Sequence, residues 1–430
     1  MSQEVTMTTG TARLARGLSS TSALTRFMRR QLFGVLEHLQ GAHLRIREDF
    51  EGGAEHCFGP DTAELRATLT VHDPAAYVQI ALGGDIGAGE SYMDGLWSSE
   101  DLEAVVRAFL CDETLLDNME GRLSWLTRPA YRWLHRSRRN NKDQARRNIS
   151  AHYDLGNDFY SQWLDSRMLY SCAIYPRADS DLEAAQVEKI DRICRKLDIK
   201  PGDSVLEIGT GWGAMALHAA EHYGAKVTTT TISREQAAWA REQVAQRGLG
   251  EQVTILEDDY RDLKGQFDHL ISVEMIEAVG RDYFETYFEQ IGALLKPSGK
   301  ALIQAITIRD QDYESYSKRT DFINQYIFPG GCLPSVELIL KGVASKTELR
   351  LDHMEDIGLH YARTLRDWYQ RLIENRGKLP EVNQSERFMR MWTYYLLSCA
   401  GAFAERRIGT VQMLFAGPAA DRDVAQSQYG

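Results

Sequence analysis

Apolar runs and helical patterns alternate through the second half of the chain. Clusters of apolar or β-branched residues predict buried strands at 205–208, 225–231, 252–256, 267–273 and 300–306. Apolar residues at helical spacing predict helices at 181–197, up to about residue 223, and at about 234–247. This alternation predicts an α/β fold with a doubly wound parallel sheet, whose ligands gather at the carboxyl ends of the strands.

The alternation breaks after the fifth strand. An insertion at about 309–365 is rich in aromatic residues, and a helical pattern at 388–403 with a strand-like run at 411–416 would complete the sheet. Aromatic side chains over the ligand end of a sheet can form a lid or tunnel for an apolar substrate. The alternative is the ordinary core of an extra subdomain.

The first half of the chain has a different sequence pattern. Residues 1–30 show weak periodicity and are predicted to be mobile, whereas short alternating stretches and glycine turns in 31–121 predict a small α+β domain. Residues 122–147 carry nine Arg and Lys residues among Trp125, Tyr131 and Trp133. Such a segment either docks on an anionic membrane surface or is a solvated linker. Residues 148–417 form the predicted catalytic domain, and 418–430 a tail.

A glycine turn follows the first predicted strand of the sheet. Gly209, Gly211 and Gly213 alternate along this turn, where bare backbone and a helix N-terminus can receive an anionic ligand. The spacing also satisfies a dinucleotide pattern, so a nicotinamide dehydrogenase stays open. Two features weaken that alternative: the bulky Trp212 within the turn, and a second strand that ends in threonine instead of an acidic residue. Glu207 suits a methyltransferase that holds the amino-acid end of S-adenosylmethionine.

Polar and aromatic residues follow the other predicted strands. Thr231, Gln236 and Tyr260 are candidates for a ribose acceptor and an adenine contact, against the alternative of loop polar groups or a core aromatic. Strand ends also place eight residues near one edge of the sheet, namely Thr231, Gln236, Asp259, Tyr260, Glu274, Glu277, Gln304 and Ile306.

Composition narrows the classes of function. With 43% hydrophobic and 26% charged residues, the 430-residue chain is typical of a globular protein. Its net charge of -11 argues against bulk attraction to nucleic acid or to an anionic membrane, so any such contact must be local. The six cysteines are scattered without a C-x-x-C pair, so neither a metal site nor a disulfide framework is indicated. The N-terminal residues lack a signal-peptide pattern, and a cytoplasmic location is expected.

Several separate motifs resemble the cyclopropane-fatty-acyl-phospholipid synthase family across about residues 32–416. The matching segments are 89–95 (GESYMDG), 152–160 (HYDLGNDFY), 169–173 (LYSCA), the glycine turn, 274–280 (EMIEAVG), 326–335 (YIFPGGCLPS), 386–388 and 399–403. The resemblance implies a class I methyltransferase, a Rossmann-like fold, that transfers the methyl carbon of S-adenosylmethionine to double bonds of phospholipid acyl chains and forms a cyclopropane ring.

The resemblance also implies roles for individual residues. A bound bicarbonate would remove the proton, held by backbone groups of Cys172 and Ile306, by Glu277 and by the hydroxyl of Tyr361, with Gln304 beside them. The residues expected around S-adenosylmethionine are Tyr170, Ser171, Glu207, Gly209, Gly211, Gly213, Thr231, Ile232, Gln236, Asp259 and Tyr260. Further expectations are contact with the inner membrane face and a homodimer.

Two departures from the family pattern leave the outcome open. Gln304 and Ala278 stand where the family usually has histidine. Glutamine donates a hydrogen bond but carries no positive charge. One alternative is therefore a methyltransferase that leaves a methylene branch without closing a ring, and another is a lipid-binding module that has lost its chemistry.

Overall fold

The computed structural model describes residues 22–112 and 155–420. The helices are α1 (Ala23–Leu36), α2 (Ala75–Met93), α3 (Leu102–Leu110), α4 (Asn157–Tyr160), α5 (Leu182–Leu197), α6 (Ala214–Tyr223), α7 (Arg234–Gln246), α8 (Ile276–Val279), α9 (Phe284–Leu294), α10 (Asp310–Tyr316), α11 (Phe322–Tyr326), α12 (Val336–Lys346), α13 (Gly358–Glu374) and α14 (Glu386–Ala404). The strands are β1 (His43–Glu48), β2 (Ala54–Phe58), β3 (Arg66–Val71), β4 (Trp97–Ser98), β5 (Ser204–Ile208), β6 (Lys226–Thr230), β7 (Val253–Leu256), β8 (Phe267–Val273), β9 (Leu295–Ile308), β10 (Arg350–Asp356) and β11 (Ile408–Ala416).

These elements pack into two units. Among the described residues, the first unit contains 22–112, 319–327 and 381–405, and the second contains 155–318, 328–380 and 406–420. The two pieces 319–327 and 381–405 lie within the range predicted for the catalytic domain, yet they pack with the N-terminal residues. A chain that leaves a unit and returns to it in this way gives no signal in local periodicity.

The first unit combines a four-stranded sheet with helices. Its strand order is β2-β1-β3-β4, in which only β1 and β3 are parallel. Helix α1 begins within the segment 1–30 that we expected to be mobile, because Ser22 caps it by accepting a hydrogen bond from the Thr25 backbone N–H at 3.0 Å. Residues 1–21 and the basic segment 122–147 lie outside the described residues.

Part of the aromatic insertion belongs to the core of the first unit. Phe322 is fully buried, and a Cβ at Gly89 would lie 2.2 Å from its ring, so glycine is required for this close approach. The Tyr326 hydroxyl donates to Glu90 at 2.6 Å. These two aromatic residues therefore serve as packing within this unit.

The second unit contains a seven-stranded sheet in the order β10-β11-β9-β8-β5-β6-β7. Strands β5 to β9 are parallel neighbours, and β11 runs antiparallel between β9 and β10. The predicted α/β doubly wound sheet is confirmed. Strand β10, which lies at the edge, was not predicted.

Helices cover both faces of this sheet. On β5, Val205 packs into a cluster with Ile190 and Ile193 of α5, whereas Leu206 packs into a second cluster with Tyr287 and Phe288 of α9. Successive strand residues point to opposite faces, so a continuous apolar run is what a strand buried on both sides requires. The polar residues at the carboxyl ends of β5, β6, β8 and β9 therefore lie along one edge.

Within the described part of the chain, no helix has both the length and the apolar character needed to cross a membrane.

Candidate active site

The glycine turn after β5 leaves room for a ligand. Gly209, Gly211 and Gly213 have φ angles of 101°, 52° and 94°, values that other residues rarely adopt. Among the described residues, no atom beyond the two chain neighbours lies within 4 Å of a Cβ placed at Gly211, so a ligand can approach the backbone there. Gly213 leads into α6 without a side-chain cap. These features fit S-adenosylmethionine as a ligand.

Glu207 lies beneath this turn in the sheet. Its carboxylate accepts a hydrogen bond from the hydroxyl of Thr229, its partner on β6, at 2.6 Å. Thr210 of the turn shares a hydrogen bond of 2.7 Å with the same threonine. Burial raises the pKa of Glu207 to about 8, although the Thr229 hydrogen bond opposes the shift. The predicted contact of Glu207 with the cofactor stays a prediction.

The ends of β6 and β7 hold the remaining predicted cofactor residues. Thr231 donates its hydroxyl hydrogen to the Gln236 side chain at 2.9 Å, and Ile232 between them is half-buried. The carboxylate of Asp259 binds the Arg261 guanidinium through two hydrogen bonds of 2.7 and 2.6 Å. The buried Tyr260 hydroxyl has no hydrogen-bond partner among the described residues. An orphaned polar atom at this edge is compatible with a bound ligand.

The segment 169–175 is fixed against two helices. From α5, the buried Lys189 donates to the Ser171 hydroxyl at 2.5 Å, and Gln186 donates to the Ser171 carbonyl at 2.9 Å. On α13, the Thr364 hydroxyl accepts from the Ala173 N–H at 3.1 Å. Lys189 was missed in the sequence, although it precedes Ile190 on the buried side of a clear amphipathic pattern. The helices hold the backbone of Tyr170, Ser171 and Cys172 in place.

Aromatic rings gather beside this segment. Tyr170 contacts Tyr160, Trp163 and Trp368 with ring centroids 5.3 to 5.7 Å apart. Trp212 of the glycine turn joins the set through Tyr160 at 5.2 Å. We call these five residues the aromatic cluster. The faces of such rings attract cations, and both a sulfonium and a carbocation are cations.

A carboxylate group lies at the end of β8. The Glu274 side chain accepts hydrogen bonds from the Cys172 backbone N–H at 2.9 Å, the Gln304 amide at 2.7 Å and the Tyr361 hydroxyl at 2.7 Å. The structure therefore brings together Cys172, Gln304 and Tyr361 as predicted, but their common partner is Glu274. Sequence reasoning placed Glu274 only as a polar residue at a strand end.

A second carboxyl group lies in the following turn. Glu277 accepts a hydrogen bond from the Ile306 N–H at 2.5 Å, and its other oxygen is buried without a partner among the described residues. Averaged over all their atoms, Glu274 and Glu277 are half-buried, but their carboxyl groups are enclosed by protein. Burial, and then the charge of Glu274, raise the pKa of Glu277 to about 8. Burial also raises the pKa of Glu274 against the opposing effect of its three hydrogen bonds.

These contacts bear on the bicarbonate that the resemblance implied. The donors expected for it, Cys172, Ile306 and Tyr361, all bind carboxylates of the chain itself. A further anion would also meet two acidic side chains. In the folded chain these donors are already used by Glu274 and Glu277, so they do not fit a separate bicarbonate.

A line of side chains fixes the direction of the Gln304 amide. Gln412, its direct partner on β11, donates to the Gln304 carbonyl oxygen at 2.9 Å, and the buried Lys196 donates to the Gln412 carbonyl oxygen at 2.8 Å. Lysine can only donate, so each amide in turn must present its NH2 group toward the site. Gln304 therefore offers a donor to Glu274.

Comparison with known proteins identifies the family of the chain. The family model described as mycolic acid cyclopropane synthetase matches residues 140–413. The chain belongs to this cyclopropane synthase family. Tuberculostearic acid methyltransferase UfaA1 of Mycobacterium tuberculosis is 40% identical over 376 residues, which cover 84% of this chain and 85% of that protein. Cyclopropane-fatty-acyl-phospholipid synthase of Escherichia coli K12 is 40% identical over 358 residues, covering 81% and 87%. The predicted resemblance is confirmed.

Solved structures support the same assignment. Cyclopropane synthase MmaA2 from M. tuberculosis has a TM-score of 0.59 at 31% identity and covers 63% of this chain and 98% of its own. Mycolic acid cyclopropane synthase CmaA1, complexed with SAH and CTAB, has a TM-score of 0.59 at 30% identity, with the same coverage. This protein is an S-adenosylmethionine-dependent methyltransferase with a class I methyltransferase fold. The prediction of a nicotinamide dehydrogenase as an alternative is therefore wrong.

Proposed function

We propose that this enzyme transfers the methyl carbon of S-adenosylmethionine to the double bond of unsaturated phospholipid acyl chains and closes a cyclopropane ring. The observation that carries the proposal is the carboxyl pair Glu274 and Glu277, placed at the carboxyl end of β8 on the edge that also holds the glycine turn. When bound, S-adenosylmethionine supplies an electrophilic methyl group. An alkene is a weak nucleophile, and its attack leaves positive charge on the acyl chain.

The residues of the site suit this charge. In the aromatic cluster four rings are buried and Tyr170 is half-buried, so Tyr170 is the ring available to stabilise a cation, and the carboxylate of Glu274 supplies negative charge. The glycine turn binds the cofactor, while Tyr170 and Ser171 are fixed by α5 beside it. Glu277, Tyr361, Cys172, Gln304 and Ile306 are the proposed catalytic residues. Bicarbonate remains a prediction from the resemblance alone, because the donors expected for it bind Glu274 and Glu277.

A methylene branch is the second candidate product. The identity of 40% to a tuberculostearic acid methyltransferase equals the identity to a cyclopropane-fatty-acyl-phospholipid synthase. Both products lose one proton from the added methyl group, and they differ only in whether a hydride first shifts along the chain. A buried base therefore serves either outcome.

We also propose that the enzyme works in the cytoplasm at the inner membrane face. The support is the basic and aromatic composition of 122–147, which lies outside the described residues. Arginine and lysine near an anionic surface contribute about 1 kcal/mol each. A homodimer is a further proposal from the resemblance.

Proton NMR of acyl chains tests the reaction. The purified protein is incubated with monounsaturated phospholipid vesicles and S-adenosylmethionine, and the chains are recovered. Upfield ring-methylene signals are expected, and exocyclic alkene signals would establish the methylene branch instead. Binding of S-adenosylhomocysteine without any new acyl product would contradict the proposal and indicate a lipid-binding module. A Gly211→Val variant, which we expect not to bind the cofactor, is the control.

A further inference from the structure

We infer that Glu274 is the active-site base and that its carboxylate stands in the place of a separate anion. The inference rests on the proposed function, because it concerns the proton lost from the added methyl group. It assigns a catalytic role to a residue that the motifs did not single out for the reaction.

The hydrogen bonds of Glu274 leave one oxygen able to accept a proton. One oxygen receives both the Cys172 N–H and the Gln304 amide, at 2.9 and 2.7 Å. The other receives only the Tyr361 hydroxyl, at 2.7 Å, within the described part of the chain. A carboxylate oxygen accepts two hydrogen bonds, so a lone pair remains there. Tyr361 thereby orients the oxygen that takes the proton.

The backbone at Glu274 supports a functional reason for this placement. Its φ angle of 51° lies in the left-handed region, which glutamate seldom adopts. Its own N–H donates to the Gln304 carbonyl at 2.8 Å, in addition to the three hydrogen bonds to its side chain. Strained conformations persist where the surroundings fix them, and they cluster at active sites. The fold therefore holds this carboxylate at one position.

Hydrogen-bond donors and a neighbouring charge decide which of Glu274 and Glu277 is ionised. Among the described residues, the Glu274 carboxylate accepts three hydrogen bonds, whereas Glu277 is reached only by backbone N–H groups, its own and that of Ile306, and keeps one buried oxygen without a hydrogen bond. When two carboxyl groups lie close together, the one with fewer donors keeps the proton. An ammonium on Lys189 also favours a charged Glu274, although burial lowers the pKa of Lys189. Glu277 is therefore the neutral partner and Glu274 the base.

The proposed reaction has two steps, methyl transfer and then proton removal. The alkene electron pair forms a bond to the methyl carbon, the sulfur–methyl bond breaks, and its electrons stay on sulfur. The free oxygen of Glu274 then takes a proton from the added methyl group. The electrons of that C–H bond close the ring, or they form an exocyclic double bond if a hydride has shifted first. The proton passes to water when the products leave.

Two substitutions of Glu274 separate a built-in base from a bound anion. Glu274→Gln keeps the shape but removes the base, and we expect turnover to fall at least about 100-fold. Glu274→Gly relaxes the left-handed backbone and frees the donors of Cys172 and Tyr361. We expect its turnover to be equally low and to recover at least about tenfold with added bicarbonate or formate. The exposed Glu251→Gln, in the turn at the amino end of β7, is the matched control, with the turnover of the parent.

Anion binding provides a second measurement that does not depend on turnover. In carbonate-free buffer the parent enzyme should convert lipid at its full rate, and [13C]bicarbonate should show no line broadening with it. Broadening is expected with Glu274→Gly but not with Glu274→Gln, whose amide still fills the space. The thermal shift produced by S-adenosylhomocysteine confirms that each variant is folded.

Failure of the Glu274 assignment and failure of the proposed function give different results. A parent enzyme that needs bicarbonate for turnover, or a Glu274→Gln variant that keeps the parent rate, would overturn the role of Glu274 while the proposed function stands. No acyl product from the parent, with or without bicarbonate, would overturn the proposed function and this inference with it.

Discussion

Gln412→Glu should reverse the amide of Gln304 without changing the shape of the site. Gln412 now accepts from Lys196 at 2.8 Å and donates to Gln304 at 2.9 Å. A carboxylate at this position still pairs with Lys196, but it can only accept from Gln304. The Gln304 amide must then rotate, and its oxygen faces the carboxylate of Glu274.

The size of the effect follows from the hydrogen bonds exchanged. Rotation removes the 2.7 Å hydrogen bond from Gln304 to Glu274, and a hydrogen bond to a charged group contributes about 1.5–3 kcal/mol. Each 1.36 kcal/mol lost from the ionised form lowers the population of ionised Glu274, the active base, about tenfold relative to the protonated form. We therefore expect turnover to fall about 10- to 100-fold, with affinity for S-adenosylhomocysteine unchanged. The rotation requires the introduced carboxyl to be ionised beside Lys196, whose ammonium also pairs with Glu355 at 2.5 Å.

Single-turnover kinetics on monounsaturated vesicles measures this loss, and calorimetry measures cofactor affinity. Gln412→Leu is the comparison: it leaves the Gln304 oxygen without a donor and costs about 1–3 kcal/mol of stability, but it imposes no reversed amide. Its turnover should exceed that of Gln412→Glu. If Gln412→Glu turns over like the parent, the direction of the Gln304 amide has no part in the reaction.

Four further predictions follow from the site. Gly211→Val should abolish the rise in melting temperature caused by S-adenosylhomocysteine. Valine is strained at the φ of 52°, so the melting temperature itself should also fall, but no described atom beyond the chain neighbours lies within 4 Å of the new Cβ; an unchanged rise would refute the prediction. Thr229→Val removes the 2.6 Å hydrogen bond to Glu207 and should weaken S-adenosylhomocysteine about tenfold by calorimetry, and equal affinity would contradict it. Glu277→Gln should gain stability relative to the parent between pH 5 and 8 in urea titrations. The parent keeps the Glu277 proton when folded and loses it when unfolded, so it alone loses about 1.4 kcal/mol per pH unit up to a pKa of about 8; a constant difference would count against the buried acid. Charge reversal at Arg138 and Arg139 should reduce sedimentation with anionic vesicles, and unchanged sedimentation would favour a plain linker.

Local pattern was enough to predict most of the second unit's sheet. The run 267–273 coincides with β8, β6 is one residue shorter than predicted at each end, and β7 begins one residue later than predicted. Strand β10 was missed because its residues, Arg350–Asp356, are mostly charged and exposed at the sheet edge. Its pairing with β11 is a tertiary contact that period-two alternation does not encode.

The candidate site was predictable where motifs carry it and not where packing creates it. Cys172, Gln304 and Tyr361 were expected together, and the structure places them around one carboxylate. That this carboxylate is Glu274 depends on a left-handed backbone that no sequence pattern shows. Gln412 had a weak signal, as a polar residue within the apolar run 411–416, but only the strand register pairs it with Gln304.

The two departures from the family pattern have different physical meanings. Ala278 is exposed, so a histidine absent there removes no buried partner from the site. Gln304 is fully buried and donates directly to Glu274. A protonated histidine at that position would form an ion pair with Glu274, lower the pKa of its carboxyl and make it a poorer base. Glutamine donates the hydrogen bond without the charge. A neutral donor at 304 is therefore what a base at 274 requires, and the replacement of histidine supports the assignment of Glu274 instead of arguing for lost chemistry.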